Sequence, residues 1–170
     1  AAEAAAWSSR KVRLVIPDAE KYEENFLNDL IKAAPRKPKL VKGMRQTALR
    51  ASDAAVIAAG TATVEAALSG TPMLIIQKTL GLSYFLSKFL SKFAGRDISY
   101  GLPNIILNRL LCPELVQKDV TTKNITIELG GLLESATKEE TDHGLAEVRG
   151  ALGEPGTIRR AAEAILRVVG

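Results

Sequence analysis

Apolar residues along this chain fall into short blocks whose spacing switches between that of strands and that of helices. Val12-Arg13-Leu14-Val15-Ile16 is rich in β-formers, and Pro17 closes it, so it predicts a strand. From Ala19 to Ala33, apolar side chains stand at Tyr22, Phe26, Leu27, Leu30 and Ile31, which is helical spacing ended by Pro35. Lys39-Leu40-Val41 predicts a short strand ending at Gly43, and Gln46 to Arg50 a short helix. Ala54-Ala55-Val56-Ile57-Ala58 has no polar member, which suits a strand covered on both faces of a parallel sheet. Gly60 breaks that run, and Thr61 to Leu68 predicts a helix. Gly70-Thr71-Pro72 then turns into a second apolar strand, Met73 to Ile76. An amphipathic helix follows Lys78. Gly101-Leu102-Pro103-Asn104 has the chemistry of a loop, and helices are predicted near Thr122 to Glu134, Lys138 to Leu152 and Thr157 to Val169. Strands alternating with helices predict an α/β fold with a Rossmann-like parallel sheet flanked by helices.

Composition narrows the picture. At 170 residues the chain suffices for one core-bearing domain, taken as 1–170, and is too short for two full α/β domains. No apolar run reaches the ~18 to 20 residues that span a bilayer. The net charge of +4 fits an anionic ligand or an anionic lipid surface, and lacks the dense basic stripe of a nucleic-acid binder. With Cys112 as the only cysteine there is no internal disulfide, which points to a reducing compartment. The first residues, Ala1 to Ala6, contain Glu3 and no basic start, so they are expected to be the end of a helix in a longer protein, not a signal peptide. His143, in a polar stretch, is expected to be a surface residue, and Cys112 a small packed one.

The candidate chemistry lies at Ala59-Gly60-Thr61-Ala62-Thr63-Val64-Glu65. A strand, a glycine turn and a helix N-terminus together form an anion site. The glycine lets backbone approach a phosphate, and the helix end offers free N–H groups and a positive dipole end. Thr61 and Thr63 add hydroxyls. Glu65, about one turn in, is placed to accept bonds from ribose hydroxyls. The plainer alternative is a common α/β turn in which Thr61 only caps the helix and Glu65 only complements its dipole. Arg45 follows Gly43 near the strand ends and could assist a nucleotide; the other basic residues from Lys11 to Lys42 read as solvated surface.

A second feature is Gly81-Leu82-Ser83-Tyr84-Phe85-Leu86-Ser87-Lys88-Phe89-Leu90-Ser91-Lys92-Phe93. At ~100° per residue its apolar side chains fall in an arc of ~140°. Phe85, Phe89 and Phe93 are three of the four phenylalanines of the chain, flanked by Lys88 and Lys92. This is the composition of an interfacial membrane helix or an acyl-chain groove. The alternative is a helix packed on the domain core. Liposome co-sedimentation of a variant with serine at the three phenylalanines separates the two.

The run Ala51 to Leu68, followed by Gly70-Thr71-Pro72-Met73, resembles the C-terminal domain of the lipid-A-disaccharide synthase family. A second block agrees: Leu102-Pro103-Asn104, Arg109, Pro113-Glu114-Leu115 and Gln117. The resemblance runs from about Val12 to the C-terminus. It implies one half of a two-domain GT-B glycosyltransferase. The C-terminal half would hold the UDP part of UDP-2,3-diacylglucosamine, and an N-terminal half would hold the acceptor, 2,3-diacylglucosamine 1-phosphate. An inverting transfer would give the lipid A disaccharide 1-phosphate and UDP, with no cofactor and no metal. It also implies a peripheral enzyme on the cytoplasmic face of the inner membrane.

Carried over residue by residue, Gly60, Thr61 and Thr63 match the phosphate-side turn, Glu65 the ribose-binding acid, and Asn104 an asparagine facing the nucleotide site. Arg109 and Glu114 match the next polar positions, with Gln117 a weaker member. Asn108 departs from the family's usual glycine, and Leu110 and Leu111 replace residues that often include an acid. The family's general base and its glycine-serine-arginine loop have no counterpart here; Ser8-Ser9-Arg10 lacks the glycine and the preceding strand. An inverting transfer needs a base for the acceptor hydroxyl, so this chain alone is expected to bind the donor weakly without catalysing. The final helices, within 121–170, are expected to meet the missing domain or a second subunit in a homodimer. The alternatives are another enzyme acting on UDP-N-acetylglucosamine, such as a 2-epimerase, and a non-catalytic binding module.

Overall fold

A computed structural model describes residues 12–18, 24–78, 99–154 and 156–169. The residues Phe85, Lys88, Phe89, Lys92 and Phe93 lie outside this set, as do Ala1 to Lys11. Among the described residues, five strands and seven α-helices follow one another: β1 (Val15–Asp18), α1 (Glu24–Ala33), β2 (Lys39–Lys42), α2 (Arg45–Arg50), β3 (Ala55–Ala58), α3 (Ala62–Ser69), β4 (Met73–Gln77), α4 (Leu102–Leu107), β5 (Glu114–Val116), α5 (Thr122–Leu132), α6 (Ser135–Leu152) and α7 (Thr157–Val169). All strand pairs are parallel. They form two sheets, β1-β2 and β3-β4-β5. The α/β class and the parallel sense match the sequence pattern.

The centre of the three-stranded sheet decides the core. Met73, Leu74 and Ile75 of β4 are fully buried, and alternate faces serve two layers. On one face Met73 and Ile75 pack with Ala66 and Ala67 of α3, Leu145 and Val148 of α6, and Cys112. On the other, Leu74 packs with Leu115, and with Ile125 and Leu132 of α5. Helices on both faces of a parallel sheet make this a Rossmann-like half-fold. Gly144 lets α6 come close: a Cβ there would run into the Leu111 side chain.

Four details differ from the sequence pattern. The first strand does not stop before Pro17. It runs Val15–Asp18, with Pro17 opposite Val41. In a two-stranded sheet both strands are edges, where the missing N–H of proline costs no ladder bond. Second, β3 is only half-buried, because it borders the three-stranded sheet instead of lying inside it. Third, Gly101-Leu102-Pro103-Asn104 opens helix α4. Its proline sits in the first turn, where helices tolerate it. Fourth, Glu114–Val116 is a strand paired with β4 that the apolar pattern did not mark, being three residues long with a charge at its start.

Helix α7 stands apart. Ile158 and Val168 are 88% and 87% exposed, and Ile165 and Leu166 are exposed too. No described part of the chain covers this stripe.

Candidate nucleotide-sugar site

The site begins where β3 ends. Ala59 donates its N–H to the Ile76 carbonyl at 3.0 Å, tying the turn to β4. Gly60 then takes φ +145°, a backbone state that a side chain rarely adopts. With that turn made, α3 starts at once. The N–H of Thr63 bonds to the Gly60 carbonyl at 3.1 Å, and that of Val64 to the Thr61 carbonyl at 3.0 Å. The N–H groups of Thr61 and Ala62 have no carbonyl partner among the described residues, as at the start of any helix. They lie at the positive end of the helix dipole.

The two threonines of this turn do different things. Thr61 occupies the N-cap position, is exposed, and makes no side-chain cap bond. The plain capping role is therefore not filled, and its hydroxyl is open to a ligand. Thr63 is fully buried and donates its hydroxyl to the Gly60 carbonyl at 2.6 Å, which holds the glycine turn closed.

Glu65 lies one turn further along α3 and meets Arg45, the first residue of α2. Arg45 Nη2 donates to Glu65 Oε1 at 3.0 Å. Its Nε stands 2.9 Å from Oε2. That second contact is a charge contact without hydrogen-bond alignment: Oε2 is buried and accepts no hydrogen bond among the described residues. Arg45 also borders an open depression lined by Gly43, Met44, Gln46 and Thr47. The turn, the acid and the arginine are thus brought together at the carboxyl ends of parallel strands, where α/β sheets bind ligands.

Asn104 and Glu114 form a second cluster. Asn104 is 1% exposed. Its Oδ1 accepts from the N–H groups of Leu111 at 2.9 Å and Cys112 at 2.8 Å. Its Nδ2 donates to the Cys112 carbonyl at 2.8 Å and to Glu114 Oε1 at 2.6 Å. Every hydrogen-bonding valence of the amide is engaged within the domain. Glu114 also accepts from the N–H of Tyr100 at 2.8 Å and of Gly101 at 2.9 Å, at the start of α4. In the sheet, Glu114 is opposite Ile75, which is opposite Ile57, so it lies below the level of Gly60. Burial first, and the nearby Glu114 charge second, push the Cys112 thiol up to about 12. It stays a neutral packing group.

Arg109 belongs to neither cluster. It pairs with Glu147 of α6 at 2.8 Å, and the other oxygen of Glu147 is 3.0 Å from His143 Nδ1. His143 is largely in water and the other two side chains nearly half exposed, which limits the strength of the contacts. His143 is a surface residue, although it does have a carboxylate neighbour that the sequence did not suggest. Asn108 ends α4 with φ +50°. Asparagine is, after glycine, the residue most at ease in that conformation, so the departure from glycine leaves the turn intact. Gln117, with φ +52°, opens the single turn Gln117–Asp119 after β5. Among the described residues no group of acidic, histidine or cysteine side chains could hold a metal ion.

The missed partners share one trait: they are distant in sequence. Arg45 and Glu65 sit on different helices, and the donors to Glu114 are backbone groups that no residue type announces.

Comparison with known proteins identifies the family. The family model described as lipid-A-disaccharide synthetase matches residues 1–168. The lipid-A-disaccharide synthase of Syntrophus aciditrophicus is 35% identical over 164 residues, covering 93% of this chain and 41% of that protein. The enzyme of the same name from Solibacter usitatus is 35% identical over 166 residues, covering 96% of this chain and 42% of its own length. That of Anaeromyxobacter dehalogenans strain 2CP-C is 39% identical over 132 residues, covering 77% and 33%. This chain therefore spans about two-fifths of the length of the first of these relatives, and by family match and sequence identity together it belongs to the lipid-A-disaccharide synthase family.

Proposed function

We propose that this chain is the donor-binding part of an inverting glycosyltransferase of lipid A biosynthesis. The whole enzyme would transfer 2,3-diacylglucosamine from UDP-2,3-diacylglucosamine to 2,3-diacylglucosamine 1-phosphate, releasing UDP. The observation that carries the assignment is the Gly60 turn at the end of β3 with Glu65 one helical turn beyond it. The diphosphate would lie against the Thr61 and Ala62 N–H groups and the Thr61 hydroxyl, where helix dipole and free donors favour an anion. Glu65 would take the ribose hydroxyls. Thr63 would hold Gly60 in its required conformation. Asn104 and Glu114 would act from within, by fixing the start of α4, and Arg109 would stand at the rim.

The base that takes the acceptor proton would come from an N-terminal domain, the natural partner of this half, with the exposed stripe of α7 available to that domain or to a second subunit. Among the described residues no helix is long and apolar enough to cross a membrane. The aromatic and basic pattern of Gly81 to Phe93 supports a peripheral contact with lipid on the cytoplasmic face of the inner membrane.

Calorimetric titration tests the nucleotide assignment. UDP is expected to bind the chain, and UMP to bind about tenfold more weakly, because the second phosphate is the group held at the helix end. No binding of UDP at millimolar concentration would remove the assignment.

A further inference from the structure

The ion pair between Arg45 and Glu65 is poorly explained by stability. The two side chains are 51% and 31% exposed. Pairs in water contribute little, while ordering an arginine sacrifices rotamer freedom. The pair joins α2, which follows the two-stranded sheet, to α3, which follows the three-stranded one. Its geometry is also lopsided. Glu65 Oε1 receives a hydrogen bond from Arg45, whereas Oε2 is buried, close to the guanidinium charge, and accepts none. Both oxygens nevertheless lie against one guanidinium, at 3.0 and 2.9 Å, which fixes the orientation of the carboxylate.

This is the form expected of a carboxylate prepared for a hydroxyl donor. A site is precise when its contacting group is held in place by a neighbour before the ligand arrives. There is also an electrostatic reason for a cation here. A carboxylate one turn from a bound diphosphate would repel it, and a guanidinium on that carboxylate cancels the repulsion.

We propose that Arg45 is a positioning residue for ribose recognition: it holds the Glu65 carboxylate in the orientation in which it accepts a ribose hydroxyl of the nucleoside diphosphate. The inference rests on the nucleotide assignment made above.

Calorimetry with UDP and with 2′,3′-dideoxyuridine diphosphate tests it on the wild-type chain and on the Arg45→Gln, Arg45→Lys and Glu65→Ala variants. The wild type is expected to prefer UDP by about tenfold, the scale of a charge-assisted hydrogen bond. Arg45→Gln is expected to weaken both ligands through unopposed repulsion from Glu65, but to weaken UDP about fivefold more than the dideoxy compound, so that most of the preference is lost. Arg45→Lys, which keeps the charge but not the fork, should retain part of the preference. Because the pair is exposed, unchanged circular dichroism and melting are expected for Arg45→Gln. If Arg45→Gln keeps the full preference, or binds UDP more tightly, while Glu65→Ala loses the preference, the positioning role is overturned and the ribose contact stands. If the wild type shows no preference at all, the ribose contact itself falls, and the positioning role with it.

Discussion

Asn104→Ala is expected to lower the unfolding free energy by about 3 kcal/mol or more, read as a fall in the urea midpoint with an unchanged slope. The side chain is 1% exposed and makes four hydrogen bonds. Its removal leaves the N–H groups of Leu111 and Cys112 without their acceptor and the Cys112 carbonyl without its donor, while Glu114 keeps only the Tyr100 and Gly101 N–H groups. A buried polar group stripped of its partner costs about 1 to 3 kcal/mol, and these losses do not add fully, because a water can enter the gap. Asn104→Asp is expected to do no better. It keeps the acceptor for the two N–H groups but sets a second carboxylate against Glu114, where the amide now donates at 2.6 Å. That variant is expected to lose stability as well. Wild-type stability in Asn104→Ala would show that the cluster is not a brace.

Glu65→Ala is expected to weaken UDP binding by at least about tenfold, with a loss of favourable binding enthalpy. The carboxylate is the one acidic group in the first turn of α3, and its removal deletes the acceptor of the ribose hydroxyls. A partial compensation is built in. Arg45, released from Glu65, can turn towards the phosphates, so the loss should be smaller at low ionic strength, where a free guanidinium attracts a diphosphate more strongly. Folding should be little affected, since the ion pair is exposed. Unchanged UDP affinity in this variant would remove Glu65 from the site.

Much of the central fold was legible in the sequence because it obeys local rules. The apolar runs at Ala55–Ala58 and Met73–Gln77 became adjacent parallel strands, and the glycine between β3 and α3 became the turn. Where local chemistry is ambiguous, the pattern misled. A proline after a β-rich run suggested a stop, yet an edge strand accepts it. A Leu-Pro-Asn sequence suggested a loop, yet proline in the first turn and a buried asparagine start a helix. The strand at Glu114 exists because β4 offers it a ladder, a condition that no three-residue window contains.

The candidate site divides in the same way. Gly60, Thr61 and Glu65 could be picked out by spacing, since a turn and its helix are continuous in sequence. The separate duties of Thr61 and Thr63 could not, because one is exposed and the other buried only once α3 is packed. Family resemblance placed Asn104 towards the nucleotide, but its side-chain bonds all run inward to residues seven to ten positions away. Arg45 drew notice for its position after Gly43. Its link to Glu65 depends on how α2 and α3 pack.

The central claim, that the turn from Ala59 to Glu65 holds a nucleoside diphosphate, is tested most directly by recording backbone amide NMR spectra of the chain during a UDP titration. The account predicts the largest shift changes at Gly60, Thr61, Ala62 and Glu65, with smaller ones at Gly43 and Arg45. Amides of α5 and α7 should stay in place. Saturable shifts centred on α5, α7 or the Arg109–Glu147 contact, with the Gly60 turn unmoved, would contradict it.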